Sequence, residues 1–269
     1  LFAYRTLFRS INVLAKSQYD DEGNSLISHK MVNAGGALDF RYNQYERITV
    51  LLAEQSISPD GKTLIATRDS ALVENMIEKW DLTGEGYKGP FPVVARSTGT
   101  RSTFSRSGRF LLFDQTARAR RYYLMSDLYI YNLKKHEIVS ESPYFRARDP
   151  EASPDGVHVV FVANQHGSNV LARSDTAWGN LEILYVPPPF TRITGPRYSP
   201  DGATLAFELH DPKTGAQDLA LLRDGKIERV VADGSENMHV SWSPDGEYLL
   251  FSSDRDGVPN IYAYALKSK

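Results

Sequence analysis

The sequence contains no cysteine and no unbroken apolar run long enough to cross a membrane. Without cysteine the chain has no disulfide, no thiol nucleophile and no cysteine-ligated metal. Its formal net charge is −2 at pH 7, and this balance lacks the basic surface that binding to a nucleic-acid backbone requires. We therefore predict neither a nucleic-acid partner nor a membrane span.

The common catalytic signatures are missing as well. The sequence has no Gly-x-Ser-x-Gly elbow, no His-Glu-x-x-His pair, no Walker loop and no dinucleotide-binding glycine fingerprint. The sequence therefore predicts a protein that is not an enzyme and that carries no cofactor or metal.

What the sequence does contain is a repeated turn between two apolar runs. In its clearest copy Trp242 precedes Ser-Pro-Asp-Gly, and Leu249, Leu250 and Phe251 follow it. Proline presets the first corner of such a turn, aspartate accepts hydrogen bonds from the nearby backbone, and glycine takes the left-handed conformation that closes it. The pattern predicts two antiparallel strands joined by a tight turn.

The turn occurs six times along the chain, with degenerate copies at residues 20–23 and 105–108. Its glycines are Gly23, Gly61, Gly108, Gly156, Gly202 and Gly246. Steps of 38 to 48 residues between them are typical of one four-stranded antiparallel propeller blade per repeat. We therefore predict an all-β, six-bladed β-propeller that occupies residues 1–269 as a single domain.

One position of the repeat, four residues before each glycine, is apolar or aromatic in every copy. It is occupied by Tyr19, Ile57, Phe104, Ala152, Tyr198 and Trp242. A position that stays apolar in every copy is best explained by packing between neighbouring blades.

The last repeat carries a specific resemblance to a known family. Residues 240–269 contain an aromatic residue, Ser-Pro-Asp-Gly, an apolar strand, Ser-Asp-Arg-Asp-Gly and an Ile-Tyr strand. The chain thereby resembles the WD40-like Pro-Asp repeat propellers of the TolB family. The resemblance implies a six-bladed propeller but no single activity, because the wider superfamily includes Tol-system scaffolds, propeller domains of prolyl-oligopeptidase-like peptidases and a few lyases. It also implies a periplasmic or other extracytoplasmic location. We expect a monomer that binds a protein or peptide.

The two ends of the chain suggest how the ring of blades closes. The chain stops after the third strand of its last repeat, and residues 8–14 form the only unassigned strand-like stretch. We expect residues 8–14 to pair outside residues 261–266 and so close the ring, since a closed ring leaves no open edge. Residues 1–10 do not fit the repeat and resemble translated adaptor sequence, so we expect a fragment, for which an open last blade is the alternative.

The repeat also predicts a candidate binding site, because loops that converge on the channel of a propeller are where ligands bind. Seven residues before each glycine, near the start of the innermost strand, stand Lys16, Glu54, Arg101, Asp149, Gly195 and His239. Arg148, His166 and His210 are expected at the same end of the blades. These polar residues differ from copy to copy, which is unlike a packing position. The alternative is that their charges only neutralise one another around a water-filled channel.

Three functions remain open at this point. The first is the non-catalytic scaffold, which binds a peptide or protein through the loops at the channel mouth. The second is a substrate-gating propeller of a larger prolyl-oligopeptidase-like serine hydrolase whose catalytic domain is absent from this chain. The third is a metal-dependent lyase, for which His166, His210 and His239 are the only histidines predicted on one face.

Overall fold

The structure is a computed structural model, and it describes residues 27–30, 37–42, 46–69, 75–83, 88–97, 99, 101–119, 123–165 and 167–266. The chain forms two compact units, Leu1–Thr98 and Gly99–Lys269. The described residues contain 21 β-strands, which we number in chain order. Over these residues we find no helix with the length and apolar character that a membrane crossing demands.

The first unit contains one antiparallel sheet, sheet I, whose strands follow one another in chain order. Its six strands are β1 (Ile27–Lys30), β2 (Ala37–Tyr42), β3 (Glu46–Ile57), β4 (Thr63–Asp69), β5 (Met76–Asp81) and β6 (Lys88–Ala95).

The second unit contains four antiparallel sheets, II to V, each of which starts with its innermost strand. Sheet II consists of β7 (Ser102–Phe104), β8 (Phe110–Ala119), β9 (Tyr123–Asn132) and β10 (Glu137–Glu141). Sheet III consists of β11 (Ala147–Ala152), β12 (His158–Gln165), β13 (Ser168–Asp175) and β14 (Glu182–Tyr185). Sheet IV consists of β15 (Arg192–Tyr198), β16 (Thr204–His210), β17 (Gln217–Arg223) and β18 (Lys226–Val231). Sheet V consists of β19 (Asn237–Trp242), β20 (Tyr248–Ser253) and β21 (Asn260–Ala265).

The antiparallel order gives each sheet of the second unit two distinct edges. The turns after the first and third strands lie at one edge, which we call the turn edge. The start of the innermost strand, the connection between the second and third strands, and the connection to the next sheet lie at the opposite edge, which we call the loop edge.

The Ser-Pro-Asp-Gly segments form the turns that the sequence predicts. In the turn before β16, the Ser199 hydroxyl donates to Asp201 Oδ1 at 2.5 Å and accepts from the Thr204 amide at 2.9 Å. Gly202 has φ 76°, in the left-handed region that glycine adopts without strain. Each turn therefore fixes the register of the first two strands of its sheet.

The core of the second unit lies between successive sheets. One apolar cluster joins sheet III to sheet IV through side chains such as Val162 and Phe207, and another joins sheet IV to sheet V through Leu219 and Phe251. Tyr198 and Trp242, both at the predicted packing position, contact these clusters. Burial between the sheets thus accounts for the apolar character of that position.

The prediction of six blades is wrong, because the described chain forms five sheets. The first two predicted repeats are fused by β3, whose first half pairs with β2 and whose second half pairs with β4. Only residues 43–45 join β2 to β3, a length that suits a hairpin, whereas five or six residues connect each of sheets II, III and IV to the next sheet. The short connection keeps the chain in the same sheet.

The prediction that the N-terminal strand closes a ring is wrong as well. Sheet V has three strands, and among the described strands β21 (Asn260–Ala265) pairs with β20 (Tyr248–Ser253) alone. Residues 8–14, which were expected to complete this sheet, lie outside the described residues.

Candidate functional site

In four of the six repeats the position seven residues before the turn glycine coincides with a β-bulge in a strand, at Glu54, Asp149, Gly195 and His239. In β11, Arg148 pairs with Val162 and Glu151 with Val160, so two residues, Asp149 and Pro150, stand opposite one. The same irregularity occurs in β15, β19 and, in the first unit, β3. Bulges of this kind re-aim side chains and are common next to functional sites.

The bulge places its first residue in the left-handed backbone region. Asp149 has φ 55°, Gly195 has φ 57° and His239 has φ 59°. Aspartate and histidine are, after glycine, among the residues that tolerate this region best. The backbone therefore explains part of the residue choice at a position that the sequence marks only as polar.

Neighbouring innermost strands run side by side with these bulges aligned. The amide of Gly195 donates to Asp149 Oδ2 at 3.3 Å, and two residues further along each strand the guanidinium of Arg197 contacts Glu151 Oε2 at 2.5 Å. The indole of Trp242 in the next strand donates to the Arg197 carbonyl at 3.1 Å. The equivalent residues of sheets III, IV and V thus face one centre at the loop edge.

Gly195 occupies the most crowded point of this centre. A Cβ atom there would lie 3.0 Å from Glu208 Oε1 and 3.1 Å from Arg101 Nη1. Arg101, which precedes the innermost strand of sheet II, therefore reaches the innermost strand of sheet IV. We call the group Arg101, Asp149, Glu151, Arg197, Glu208 and His239 the central polar cluster.

Glu208 anchors the cluster from the second strand of sheet IV. Its buried carboxylate accepts from the Thr194 hydroxyl at 2.8 Å, from Gln217 Nε2 at 2.9 Å and from the Val240 amide at 3.2 Å. Three donors from three different strands hold the carboxylate in one place. A buried carboxylate with this many partners is a fixed negative charge beneath the bulges.

His239 is the titratable member of the cluster on sheet V. Its Nδ1 lies 3.1 Å from the Ser252 hydroxyl, and the ring is exposed to water. Desolvation by the surrounding protein lowers the pKa of His239; Glu208 opposes this shift, and the cations Arg101 and Arg197 add to it. The surroundings therefore disfavour protonation of the imidazole, which lies near a carboxylate and two guanidinium groups.

The other predicted site residues lie in several places. Arg148 donates to Asn169 Oδ1 at 3.3 Å and to the Ile193 carbonyl at 3.2 Å, which ties sheet III to sheet IV. His210 lies at the loop edge, where β16 ends opposite Gln217. Glu54 lies in the bulge of β3 in the first unit.

Lys16 and His166 lie outside the described residues. Of the eight predicted residues, the structure thus brings Arg101, Asp149 and His239 together in the central polar cluster.

Sequence reasoning missed Glu151, Arg197 and Glu208. Glu151 and Arg197 each stand two residues after a bulge residue, so the repeat alignment could have identified both. Glu208 interrupts the otherwise apolar run of Leu205, Ala206, Phe207 and Leu209, and a charged residue within such a strand is a usable signal.

The cluster offers fixed charges of both signs and hydrogen-bonding groups on one edge of the sheets. Over the described residues, no group of three His, Asp or Glu side chains is arranged to hold a metal ion. The arrangement suits recognition of a polar or charged group on a ligand, since such groups fix orientation in a binding site.

Comparison with known proteins identifies relatives of two kinds. A family model described as the TolB beta propeller domain matches residues 150–269. The uncharacterized peptidase YuxL of Bacillus subtilis (strain 168) is 32% identical over 107 residues, which cover 38% of this chain and 16% of that protein.

Two solved structures illustrate the likeness in fold. TolB from Acinetobacter baumannii has a TM-score of 0.64 at 18% identity, over 85% of this chain and 57% of its own. The tricorn protease has a TM-score of 0.60 at 18% identity, over 82% of this chain and 22% of its own. The resemblance that the repeat predicts is confirmed by these matches.

Proposed function

We propose that this chain, a relative of the TolB propellers by its residues 150–269, is a non-catalytic module that binds a protein or peptide at the loop edge. The support from the comparisons is the shared propeller fold and the family-model match to the TolB beta propeller domain. The binding residues would be those of the central polar cluster and of the loops around it.

The observation that supports this role is the contrast between equivalent positions in successive sheets. Arg101, Asp149, Gly195 and His239 occupy the same place in the repeat but have different chemistry. A position that only maintained the fold would be expected to keep one type of residue in every copy, as the turns do. Four different groups around one centre can read an asymmetric ligand such as an extended peptide.

The experiment begins with a random 12-residue peptide library, displayed on phage and selected on the full chain. The affinity of the selected peptides is then measured by fluorescence anisotropy for Arg101→Ala, His239→Ala and a control, Lys134→Ala, at the exposed turn edge. We expect the two loop-edge variants to weaken binding by about tenfold or more, in the range of interface hot spots, and the control by less than about twofold. Failure to select any peptide, or an equal effect of all three variants, would contradict the proposal.

We also infer an extracytoplasmic location from the resemblance to TolB. Expression of the natural coding sequence in its own cell, followed by fractionation, tests this directly. Recovery of the protein in the cytoplasmic fraction alone would contradict the inference.

A second function is supported by the match to YuxL, which is described as a peptidase and of which this chain covers 16%. The chain would then be the substrate-gating propeller of a larger serine hydrolase. The complete coding sequence decides between the two functions. A downstream strand, turn and helix with Gly-x-Ser-x-Gly would support the hydrolase, and its absence from the complete gene would remove it.

A further inference from the structure

Exposed aromatic side chains are concentrated on the loop edge of the second unit. In the part of that unit that the structure describes, three aromatic side chains are more than half exposed: Tyr123 at 59%, Tyr144 at 68% and Phe190 at 91%. Tyr123 begins β9 at the hairpin of sheet II, and the other two lie in the connections that lead to sheets III and IV. All three therefore lie at the loop edge of sheets II and III. Exposed apolar groups that gather on one surface mark interaction sites.

The backbone at two of these residues shows that the fold does not require an aromatic side chain there. Tyr144 and Phe190 each stand five residues before a bulge residue, and their φ angles are 55° and 66°. The equivalent residue of the next repeat is Gly234, with φ 82°. Glycine forms this loop without strain, whereas a bulky residue in the left-handed region is an outlier. Strain that no burial offsets is typical of functional positions.

The loop that presents Tyr144 is held rigidly from below. The buried carboxylate of Asp127 accepts from the Ser142 hydroxyl at 3.0 Å and from the Arg146 amide at 3.1 Å. Ser142 Oγ in turn accepts from the Leu128 amide at 3.0 Å. A side chain on a loop fixed at both ends loses little freedom when it binds, which favours affinity.

The charges around these aromatic residues are mainly positive. Arg118 and Arg146 are exposed at the loop edge of sheets II and III, and Arg192 is exposed at the adjoining start of sheet IV. The sequence continues after Ala119 with two arginines that lie outside the described residues. The exposed carboxylate nearby, that of Glu141, accepts from the Tyr129 hydroxyl at 2.9 Å.

The loop edge of sheets IV and V differs from this surface. Four exposed carboxylates there, those of Asp233, Glu236, Asp254 and Asp256, outnumber the exposed cations Lys213 and Arg255. Asp233 lies 3.0 Å from the guanidinium of Arg255. The basic and aromatic character thus belongs to the edge of sheets II and III, and an acidic partner would be attracted to that half and repelled by the other.

We propose that Tyr123, Tyr144, Phe190, Arg118 and Arg146 form a docking surface for an acidic segment of a partner protein that carries large apolar side chains. We call this surface the aromatic-basic patch. The apolar side chains of the segment pack on the three rings, and its carboxylates pair with the arginines. The inference rests on the proposed binding function, since it names the class of partner for the same edge.

The test uses the peptides selected from the random library on the full chain. We expect enrichment of peptides with a net negative charge and at least one aromatic or leucine residue. Their affinity is then measured for the double variant Tyr144→Gly/Phe190→Gly and for Arg146→Glu. We expect each to weaken binding by about tenfold or more. Glycine removes the ring and also suits the left-handed backbone, so the double variant should unfold at the same temperature as the unchanged protein or at a higher one.

A matched control is available at the turn edge. His136 and Asp224 are exposed and have φ 56° and 49°, so His136→Gly/Asp224→Gly makes the same kind of backbone change away from the patch. We expect it to change the affinity by less than about twofold, as for a residue outside an interface hot spot.

Three outcomes would overturn the inference. Enrichment of neutral or basic peptides would contradict the charge argument. Acidic peptides that tolerate the double glycine variant but lose affinity with Arg101→Ala would leave the proposed function intact and remove the patch. Failure to select any peptide would remove both.

Discussion

At the turn edge of sheets III, IV and V, three Ser-Pro-Asp-Gly turns repeat one set of hydrogen bonds, whereas at the loop edge the aligned bulges carry Asp149, Gly195 and His239. The innermost strands of these three sheets carry the same bulge at the same place in the repeat, so the backbone alone cannot account for the difference. Uniform residues mark where the repeat needs one local structure. Where the backbone is just as regular but the residues differ from repeat to repeat, the fold does not dictate the side chain, and that position is available for ligand binding.

The largest effect on stability is expected from the loss of Glu208, the buried carboxylate that connects three strands near the loop edge. Glu208→Ala leaves the hydroxyl of Thr194, the amide of Gln217 and the backbone amide of Val240 without their buried acceptor. We expect the free energy of unfolding to fall by about 3 to 5 kcal/mol, the range for breaking a buried charged network. Urea denaturation measures it, with Glu208→Gln, which keeps an acceptor oxygen, as the milder control. A decrease in unfolding free energy below about 1 kcal/mol would show that Glu208 is not needed for the fold and is as replaceable as the bulge residues.

A smaller difference in stability is expected between substitutions at the packing position and at the bulge residue three positions earlier. Trp242 is partly buried against the core between sheets IV and V, so we expect Trp242→Ala to cost about 3 kcal/mol of unfolding free energy. His239 is exposed, and we expect His239→Ala to change stability by less than about 0.5 kcal/mol. Thermal unfolding of both variants makes the comparison. The reverse order would show that the packing position and the binding position have been exchanged.

The smallest effects on stability are expected from a change in pH. Groups at the turn edge and at the loop edge should lower the stability in different pH ranges. Hydrogen bonds from the turn serines, together with backbone amides, lower the pKa values of Asp155, Asp201 and Asp245 below their usual range. Because these folded-state pKa values are lowered, the stability they contribute is present above the unfolded pKa of about 3.9 and is lost as the pH falls further.

His239 also has a lowered pKa, mainly through desolvation, so the unfolded chain binds its proton more readily than the folded one. Stability should therefore begin to fall as the pH drops below about 6.5, the unfolded histidine value. Melting temperatures measured from pH 8 to pH 2 test both edges. His239→Ala should remove the first decline alone, and replacement of the three turn aspartates by asparagine should reduce the second. A single decline that neither set of changes alters would contradict the assignment.

The sequence predicts the regular parts of this fold well because they depend on local chemistry. The turn, its left-handed glycine and the apolar residue before it are determined within one repeat. The fusion of two repeats in sheet I depends on the length of the connection before Glu46, which is a feature of spacing that the glycine period does not report. The sequence therefore predicts six blades, whereas the described residues form five sheets.

The candidate site was only partly predictable for a similar reason. The repeat alignment identifies the bulge residues as one set, and the structure explains them by an extra residue in the strand. Which of these residues come close together depends on side chains that extend from one sheet to another, as the Arg101 side chain extends to Gly195. Arg148 shows the limit, because it lies next to a bulge residue yet its contacts tie two sheets together.

The left-handed bulge also limits how such a surface can evolve or be redesigned. A backbone in this conformation accepts glycine, asparagine, aspartate and histidine at low cost and penalises β-branched residues. Random substitution at Asp149 or His239 therefore samples a short list of small or polar side chains. The backbone conformation thus restricts which side chains can occupy these positions. A new binding specificity there would come from a change in charge or hydrogen-bonding capacity. A specificity that needs a large aliphatic side chain would have to arise in the loops instead.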